Sequence, residues 1–391
     1  MKTATQCVHL DSNDDPYCSI SPPIYQTATF RQPTATEFGE YDYTRTANPT
    51  RDLVERQIAR LEGGEYACAF ASGMAAITAL ARLASVGEEI IAGDDLYGGT
   101  VRLLDQILPR QGVGARFVDT ANAEAVRSAL TPRTRMILIE TPTNPLMRIS
   151  DIRKLSRLAR ENGVLLAVDN SMLSPCFQQP LKLGADVVIH SATKFLCGHS
   201  DVTGGALVTN DEALDRQIAF QQNAEGAGLS PFESWLLLRG MKTLALRVER
   251  QNESARKIAE FLAQHRAVDR VYYPGLASHD GHEIHRRQAT GDGAVISFTT
   301  RDVRLSQRVA ESTQLFDIAV SFGSVGSTIS LPCRMSHASI PQELRESLAP
   351  PPDLVRISVG IEDADDLIED LAQAFAVAER RAVAASALCA A

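Results

Sequence analysis

Residues 187–205 read VVIHSATKFLCGHSDVTGG, and the fold and function of the whole chain are best interpreted from this segment outward. Residues 185–190 are mostly apolar and rich in β-branched side chains. This pattern predicts a short buried strand. A polar cluster that contains Lys194 follows the strand at once. Burying an ammonium group is costly unless the charge is neutralised or used. One use is a Schiff base with a carbonyl cofactor, because a desolvated amine with a lowered pKa condenses readily. The alternative is a lysine that extends to the surface beside a loop.

A second charged residue ends a buried strand further upstream. The segment GVLLAVDNSMLSP, residues 163–175, contains Asp169 at the end of an apolar run. Pyridoxal phosphate requires a lysine for its aldehyde and an acid that keeps its pyridine nitrogen protonated. Asp169 and Lys194 are therefore candidates for these two roles, although acids are also common at the carboxyl ends of strands in α/β proteins.

Strand and helix patterns alternate from about residue 66 to residue 210, which predicts an α/β fold with a mostly parallel sheet covered on both faces. Further on, the strands are fewer and more widely separated. We therefore predict three parts: an N-terminal arm over 1–50 that contacts a neighbouring subunit, a large domain over 51–245, and a smaller C-terminal α+β domain over 246–391. A helix that begins near Asn48 marks the end of the arm.

The bulk composition excludes several classes of protein. A chain of 391 residues with 44% hydrophobic and 22% charged residues is typical of a globular protein with more than one core. The net charge of −9 argues against nucleic acid and anionic membranes as partners. Seven scattered cysteines form neither a disulfide framework nor a metal-ligand spacing, so we expect no metal. We find no secretory signal and expect a cytoplasmic protein.

The motifs VDNSMLSP (168–175) and HSATKFLCGHSD (190–201) resemble the Cys/Met-metabolism family of pyridoxal-phosphate enzymes. This family includes cystathionine lyases and synthases and methionine γ-lyase. The resemblance extends from about Pro22 to about Leu371. It implies the fold of the large aspartate-aminotransferase class (fold type I), with pyridoxal 5′-phosphate bound to Lys194 and the cofactor's pyridine nitrogen facing Asp169.

The resemblance also implies where the cofactor phosphate binds. In AFASGMAAI, residues 69–77, a turn joins a strand to a helix, and the first amides of a helix form an anion site. A tight turn alone would explain its glycine equally well. The family uses this turn for the phosphate together with the hydroxyl residues before the lysine and a tyrosine–arginine pair from the adjacent subunit. The matching residues here are Gly73, Met74, Ser191, Thr193, Tyr43 and Arg45.

Four further residues match family positions around the cofactor ring and the substrate. Tyr97, in GDDLYGGT, matches the tyrosine that stacks on the pyridine ring, and Asn144 matches the residue that contacts the phenolic oxygen. Arg356 is a lone charge inside an apolar strand, for which a structural ion pair is the alternative. The resemblance implies that Arg356 binds the α-carboxylate of an amino acid. Ser321 matches a residue that assists Arg356 at that carboxylate.

Members of this family differ in which bond they break. All remove the α-proton with the released lysine, and they then expel a group from Cβ or, after further proton shifts, from Cγ. The cystathionine γ-enzymes carry an acid just before the serine that matches Ser321, where this chain has Val320. Methionine γ-lyases carry a cysteine two residues after the stacking tyrosine, where this chain has Gly99.

Three segments resemble plant-type cystathionine β-lyases: residues 93–100, residues 222–247 and SFGSVGSTISLPCRMSHASIP over 321–341. The resemblance therefore implies β-elimination of L-cystathionine to homocysteine, pyruvate and ammonia, a trans-sulfuration step of methionine biosynthesis. Gly326 and Cys197 depart from the pattern and could reshape the distal substrate pocket.

Several alternatives remain at the level of sequence. The same chemistry could serve γ-elimination or γ-replacement on cystathionine, methionine or another γ-substituted amino acid. A non-catalytic relative that keeps the fold would be expected to have lost Lys194 or Asp169, and both are present. For partners, the resemblance implies a homo-oligomer, a tetramer built as a dimer of dimers with shared active sites.

Overall fold

The computed structural model describes residues 1–10, 15–336 and 349–390, with side chains up to Arg380. The end of the motif over 321–341, from residue 337, therefore lies outside the described residues. Within the described part of the chain, the larger sheet has seven strands in the order β1-β7-β6-β5-β4-β2-β3. These strands are β1 (Tyr66–Phe70), β2 (Glu89–Gly93), β3 (Gly114–Val118), β4 (Thr134–Glu140), β5 (Leu165–Asp169), β6 (Val187–Ser191) and β7 (Gly205–Thr209).

Five neighbouring strands of this sheet, from β3 to β6, run parallel, whereas β7 is antiparallel to both β6 and β1. Alternate residues of β6 pack into different cores: Val188 belongs to one apolar cluster, and Val187 and Ile189 belong to another on the opposite face. This burial of both faces explains why the strands read as continuous apolar runs. The prediction of an α/β fold with a mostly parallel sheet is confirmed.

Helices lie around this sheet and begin at polar capping residues. Asn48 accepts a hydrogen bond from the amide of Thr50 at the start of the helix Pro49–Glu62, and that helix ends at Gly63 in the left-handed conformation. In the first part of the chain the helices are α1 (Thr3–Val8), α2 (Pro49–Glu62), α3 (Gly73–Ala81), α4 (Gly98–Arg102), α5 (Ala123–Ala129), α6 (Ile152–Glu161), α7 (Ser174–Phe177), α8 (Glu212–Glu225) and α9 (Pro231–Met241).

Two segments differ from the sequence prediction. The pattern TVRLLDQILP predicts one helix over 100–109, whereas the structure has α4 followed by a π-helical turn, Leu103–Ile107, and a 3₁₀ turn, Leu108–Gln111. Pro109 contributes to this break because it has no amide hydrogen to donate. Near the N-terminus, α1 is a short helix with Cys7 buried, whereas most residues from 15 to 47 are exposed.

The C-terminal part is built on a second sheet. Among the described residues, the strands of this sheet follow the order β10-β11-β12-β9-β8. Every pair of neighbouring strands is antiparallel except β10 and β11, which are parallel. Its strands are β8 (Arg270–Tyr272), β9 (Val295–Thr299), β10 (Asp317–Ile318), β11 (Thr328–Ser330) and β12 (Val355–Ser358). Its helices are α10 (Leu244–Gln264), α11 (His282–Gln288), α12 (Val303–Ser312) and α13 (Ala364–Ala390). The predicted boundary after residue 245 lies within the first turn of α10, and the division into domains stays a prediction.

Among the described helices, none combines the length and the apolar character that a membrane-spanning segment requires. The carboxyl ends of β4, β5 and β6 meet at one edge of the larger sheet, where ligands bind in open α/β sheets. Glu140 and Asp169 are the last residues of β4 and β5, and Lys194 follows β6 by three residues.

Gly205 offers a test of how tightly this edge is packed. A Cβ added there would lie 2.8 Å from Gly73 Cα and still closer to the Ser72 carbonyl. We expect Gly205→Ala to lower the free energy of unfolding by about 1–3 kcal/mol, because overpacking against backbone forces a shift. Gly326→Ala is the matched control, since a Cβ there meets no described atom within 4 Å, and its effect should stay within about 0.5 kcal/mol. Equal stabilities in chemical denaturation would contradict this packing.

Candidate active site

A cavity of about 500 Å³ opens at the carboxyl edge of the larger sheet. Residues from both sheets and from the loops between them line it. Those that the sequence had singled out are Gly73, Met74, Tyr97, Asn144, Asp169, Ser191, Thr193, Lys194, Ser321 and Arg356. The structure thus brings together ten predicted site residues from widely separated parts of the chain.

Lys194 projects into this cavity from the loop after β6. Its Nζ donates a hydrogen bond to Ser321 Oγ at 2.6 Å and lies 4.9 Å from the centre of the Phe322 ring. Desolvation lowers the pKa of Lys194 to about 8, and the positive charge of Arg356 acts in the same direction. About a tenth of this amine is therefore neutral and nucleophilic at pH 7, far more than for an ordinary lysine, and a Schiff-base lysine must react in this form.

A buried arginine binds the backbone of the loop that follows β6 and carries Lys194, here called the lysine loop. Arg247 of α10 donates to the carbonyl oxygens of Phe195 and Leu196, at 2.9 and 3.4 Å, and to that of Gly240 at 2.9 Å. Burial lowers the pKa of Arg247 to about 10, so the guanidinium still carries its charge at neutral pH. This clamp fixes the backbone that carries Lys194, and the sequence alone had not indicated it.

Asp169 lies deep in the cavity at the end of β5. Burial raises its pKa, while hydrogen bonds from Ser171 oppose this shift, including one from the Ser171 amide at 2.9 Å. The charges of His190 and Lys194 also favour the ionised form. A buried carboxylate that faces the cavity can hold a proton on a ring nitrogen, which is the role the sequence predicted.

The turn before α3 also lines the cavity. Ser72 Oγ accepts the amide of Ala75 at 3.1 Å and caps the helix, and a helix N-terminus of this kind attracts an anion. The backbone of Gly73 packs closely against Ser191, because a Cβ at position 73 would lie 3.0 Å from Ser191 Oγ. Thr193 also lines the cavity.

Arg356 occupies the side of the cavity towards the second sheet. Its Nη1 donates to Asn144 Oδ1 and its Nη2 donates to the carbonyl of Ser321, both at 2.8 Å. Burial lowers the pKa of Arg356 to about 10, and the charge of Glu140 opposes this shift. Ser321 has φ of 83°, a conformation that L-residues rarely adopt and that is often found at functional sites. Among the described residues this guanidinium is positioned by polar contacts and has no carboxylate at ion-pair distance, which leaves its charge available to an anionic ligand.

Tyr97 lines the cavity just before α4, with 43% of its surface exposed. A Cβ at position 99 would lie 3.0 Å from Met74 Sδ and within 3.1 Å of the Tyr97 ring. Because Gly99 has no Cβ, the Tyr97 ring fits where it lies. A larger residue at position 99 would displace that ring.

Tyr43 and Arg45 lie outside this cavity. They line a separate depression on the surface, where Arg45 Nη1 donates to the carbonyl of Asn223 at 2.9 Å. Both residues are largely exposed. The single chain does not bring them to the site, and their role towards a neighbouring subunit stays a prediction.

Sequence reasoning missed two charged residues of the cavity, Glu140 and Arg102. Glu140 ends the apolar strand β4, which is the same signal that had singled out Asp169. Cys197 and Gly326, the two departures from the family pattern, do not line the cavity. Cys197 is buried, with its Sγ 3.1 Å from Asp201 Oδ1.

These residues fit pyridoxal 5′-phosphate. A primary amine of lowered pKa, a buried acid, and a helix N-terminus with adjacent hydroxyls surround one cavity. They match the aldehyde, the pyridine nitrogen and the phosphate respectively.

Comparisons with known proteins agree with this chemistry. The family model for Cys/Met metabolism PLP-dependent enzymes matches residues 4–376. The chloroplastic cystathionine beta-lyase of Arabidopsis thaliana is 55% identical over 95% of this chain and 80% of its own length. The cystathionine gamma-lyase of Bacillus subtilis is 50% identical over 96% of this chain and 99% of its own.

Solved structures show the same fold. The cystathionine gamma synthase of Xanthomonas oryzae, in complex with cystathionine, superposes with a TM-score of 0.95 at 38% identity and covers 97% of this chain and 99% of its own. The cystathionine gamma-lyase of Lactobacillus plantarum, complexed with L-serine, superposes with a TM-score of 0.93 at 45% identity. The match covers 96% of this chain and 99% of the other chain. These matches confirm the predicted fold class.

Proposed function

The chain belongs to the Cys/Met metabolism PLP-dependent enzyme family, and we propose that it is a carbon–sulfur lyase that cleaves L-cystathionine at the Cβ–S bond. The products would be homocysteine, pyruvate and ammonia. The observation that supports the proposal is that Ser321 contacts both Lys194 and Arg356, so that an amine able to transfer a proton lies near a guanidinium able to bind an α-carboxylate. The family match confirms pyridoxal 5′-phosphate as the cofactor.

Lys194 acts as the base and then as the acid. When bound, pyridoxal phosphate supplies an aldehyde for the substrate amine and a protonated ring that accepts the electrons left at Cα. The Lys194 amine, with a pKa of about 8, takes the proton from Cα and returns it to the departing sulfur. The Cβ–S bond breaks in this step, homocysteine leaves, and water converts the remaining three-carbon fragment to pyruvate and ammonia.

Other residues hold the substrate in the orientation for this transfer. Arg356 binds the α-carboxylate with its planar fork, while Asn144 and Ser321 keep the guanidinium in place. Tyr97 would stack on the cofactor ring, and Asp169 would keep the ring nitrogen protonated. Gly73, Met74, Ser191 and Thr193 line the phosphate end. Small misplacements of the reacting atoms are costly, so this framework contributes to the rate.

The position before Ser321 favours β-elimination. Val320 lines the cavity and is 56% exposed, so it offers an apolar surface where the cystathionine γ-enzymes have an acid. An apolar side chain cannot pair with the distal ammonium of cystathionine from the γ side. The resemblance to β-lyases over 93–100 and 222–247 supports the same choice.

The γ-reactions remain the alternative, because a cystathionine gamma-lyase is also 50% identical to this chain. γ-Elimination of cystathionine would yield cysteine and 2-oxobutyrate in place of homocysteine and pyruvate. γ-Replacement, or elimination from methionine or another γ-substituted amino acid, would use the same lysine and arginine.

Product analysis on L-cystathionine distinguishes these reactions. We expect homocysteine and pyruvate in equal amounts, because Lys194 delivers its proton to a sulfur leaving Cβ. Lys194→Ala should abolish turnover, and Arg356→Ala should mainly raise KM, since it removes the partner of the α-carboxylate. Cysteine with 2-oxobutyrate as the dominant pair would contradict the β-lyase proposal.

We propose further that two chains share each active site. The arm from residue 15 to residue 47 exposes large apolar side chains, such as Tyr17 at 89% and Ile20 at 96%, which a neighbouring subunit would cover. Tyr43 and Arg45 would then reach the phosphate of the neighbour's cofactor, with the guanidinium binding the dianion. A dimer of such dimers would form the tetramer.

Mixed dimers test this sharing. Arg45→Ala alone should retain cofactor poorly, and Lys194→Ala alone should be inactive. Their hybrid should regain activity at one of its two sites, because that site combines an intact Lys194 with an intact Arg45. Arg31→Ala, at an exposed arginine of the same arm, is the control and should behave as the parent protein. If hybrids form and none gains activity, each chain supplies its own phosphate contacts.

We place the reaction in the cytoplasm, as a trans-sulfuration step of methionine biosynthesis. Homocysteine, the proposed product, carries the sulfur needed for that route. The free thiols of the described cysteines are consistent with a reducing compartment.

A further inference from the structure

Two buried polar residues lie one turn apart on α10. Arg247 and Gln251 are four positions apart, so both lie on the same face of this helix. Their exposed fractions are 4% and 0%. Arg247 donates hydrogen bonds to the backbone of the lysine loop. Gln251 binds a different part of the site, and no step of the proposed reaction uses it.

Gln251 joins two segments of the second sheet. Its Nε2 donates hydrogen bonds to the carbonyl oxygen of Ser324 at 2.8 Å and to that of Val359 at 3.0 Å. Ser324 belongs to the loop over 319–327, between β10 and β11, which carries Ser321 and is here called the serine loop. Val359 directly follows β12. One buried amide group therefore connects the serine loop with the end of β12.

The serine loop also contacts the lysine loop directly. The amide of Val325 donates a hydrogen bond to the carbonyl of Gly198 at 2.9 Å. A Cβ added at Gly323 would lie 2.8 Å from the amide nitrogen of Phe195, so the two backbones approach each other closely there. A shift of the serine loop would therefore disturb the lysine loop as well.

The position of the serine loop determines the spacing within the site. Ser321 accepts from Lys194 Nζ through its hydroxyl at 2.6 Å and from Arg356 Nη2 through its carbonyl at 2.8 Å. The amide of Gly323 donates to Ser358 Oγ at 2.9 Å, and Ser358 lies on β12 with Arg356. The serine loop thus stands between the proposed base and the proposed carboxylate-binding group.

Gln251 acts on this loop only as a donor. Its Oε1 is buried and has no hydrogen-bond partner among the described residues. An unpaired buried acceptor costs free energy, whereas the two bonds from Nε2 pair backbone carbonyls that would otherwise be unsatisfied. An apolar side chain of the same length would remove the unpaired oxygen and also release both carbonyls.

We propose that Gln251 is a positioning residue that holds the serine loop against the end of β12 and the lysine loop. Arg247, on the same helix face, holds the lysine loop itself. Together they set the distance between Lys194 and Arg356. The inference rests on the proposed roles of these two groups in proton transfer and in binding the α-carboxylate.

Hydrogen exchange in the cofactor-free protein tests this role directly. The peptide covering 319–327 is followed by mass spectrometry in Gln251→Met, a side chain of similar length without a donor. We expect its exchange to become about tenfold faster, as loss of a net backbone hydrogen bond implies, because the amides of Gly323 and Val325 are held only while the loop stays docked. Gln251→Asn moves the donor away from both carbonyls and should accelerate the same peptide. It provides the comparison if Gln251→Met does not fold.

Gln57→Met is the matched control. Gln57 is a buried residue of α2, and its Nε2 also donates to two backbone carbonyls, those of Gln6 at 2.7 Å and Cys7 at 3.4 Å. Its loss should lower the melting temperature and leave exchange in the peptide 319–327 unchanged. Equal acceleration in Gln57→Met would overturn the proposal, because general destabilisation would then explain the effect.

Kinetics of the loaded enzyme test whether the docking matters to the reaction. With the amino acid that the enzyme turns over, we expect Gln251→Met to lower kcat/KM by about ten- to a hundredfold, since small misplacements of reacting groups are costly. Its cofactor content should equal that of the parent protein, because Asp169 and the turn before α3 lie on other elements. Gln57→Met should keep the parent kcat/KM.

Two further results would overturn the proposal. One is unchanged exchange over 319–327 in the Gln251 variants. The other is faster exchange with an unchanged kcat/KM, since the loop would then move without affecting the site. The exchange measurement needs neither cofactor nor substrate. A protein that does not cleave cystathionine would therefore contradict the proposed function alone.

Discussion

The site depends on removing one lysine from water at the end of a parallel strand. Desolvation brings the pKa of Lys194 to about 8, and no other effect on this amine is larger. Burial also lowers the pKa of Arg356 to about 10 and raises the pKa of Asp169. Lys194 and Asp169 thus lie at the carboxyl edge of the larger sheet, where removal from water shifts the pKa of each group.

The surrounding structure keeps these groups in place without neutralising them. Arg247 binds the backbone of the lysine loop, and Ser321, in a strained conformation, accepts from Lys194 while its carbonyl accepts from Arg356. Lys194 follows a strand of the larger sheet and Arg356 lies in a strand of the second sheet, so the proposed base and the proposed carboxylate-binding group come from different parts of the chain. Their spacing is fixed by packing between these parts rather than by any local motif.

Much of this site could be predicted from residues that violate a local pattern. Asp169 and Lys194 were recognisable because a charge ended an apolar strand, and Glu140 carried the same signal. Arg247 and Phe322 could not be found in this way, since their importance arises only from contacts with distant segments. The break of the helix expected over 100–109 depends on tertiary packing as well as on Pro109. Tyr43 and Arg45 were indicated by family resemblance alone, and a single chain does not test them.

The most direct test of the account is the titration of Lys194 in cofactor-free protein. Reductive methylation can be followed across pH on the peptide that contains Lys194, with a blocked free lysine as the reference. Only the neutral amine reacts, so labelling rises with pH through the pKa of the group. The account predicts half-maximal labelling near pH 8, whereas the reference should follow the ~10.4 of an ordinary lysine. Coincidence of the two curves would show that burial does not tune this lysine and would contradict the account.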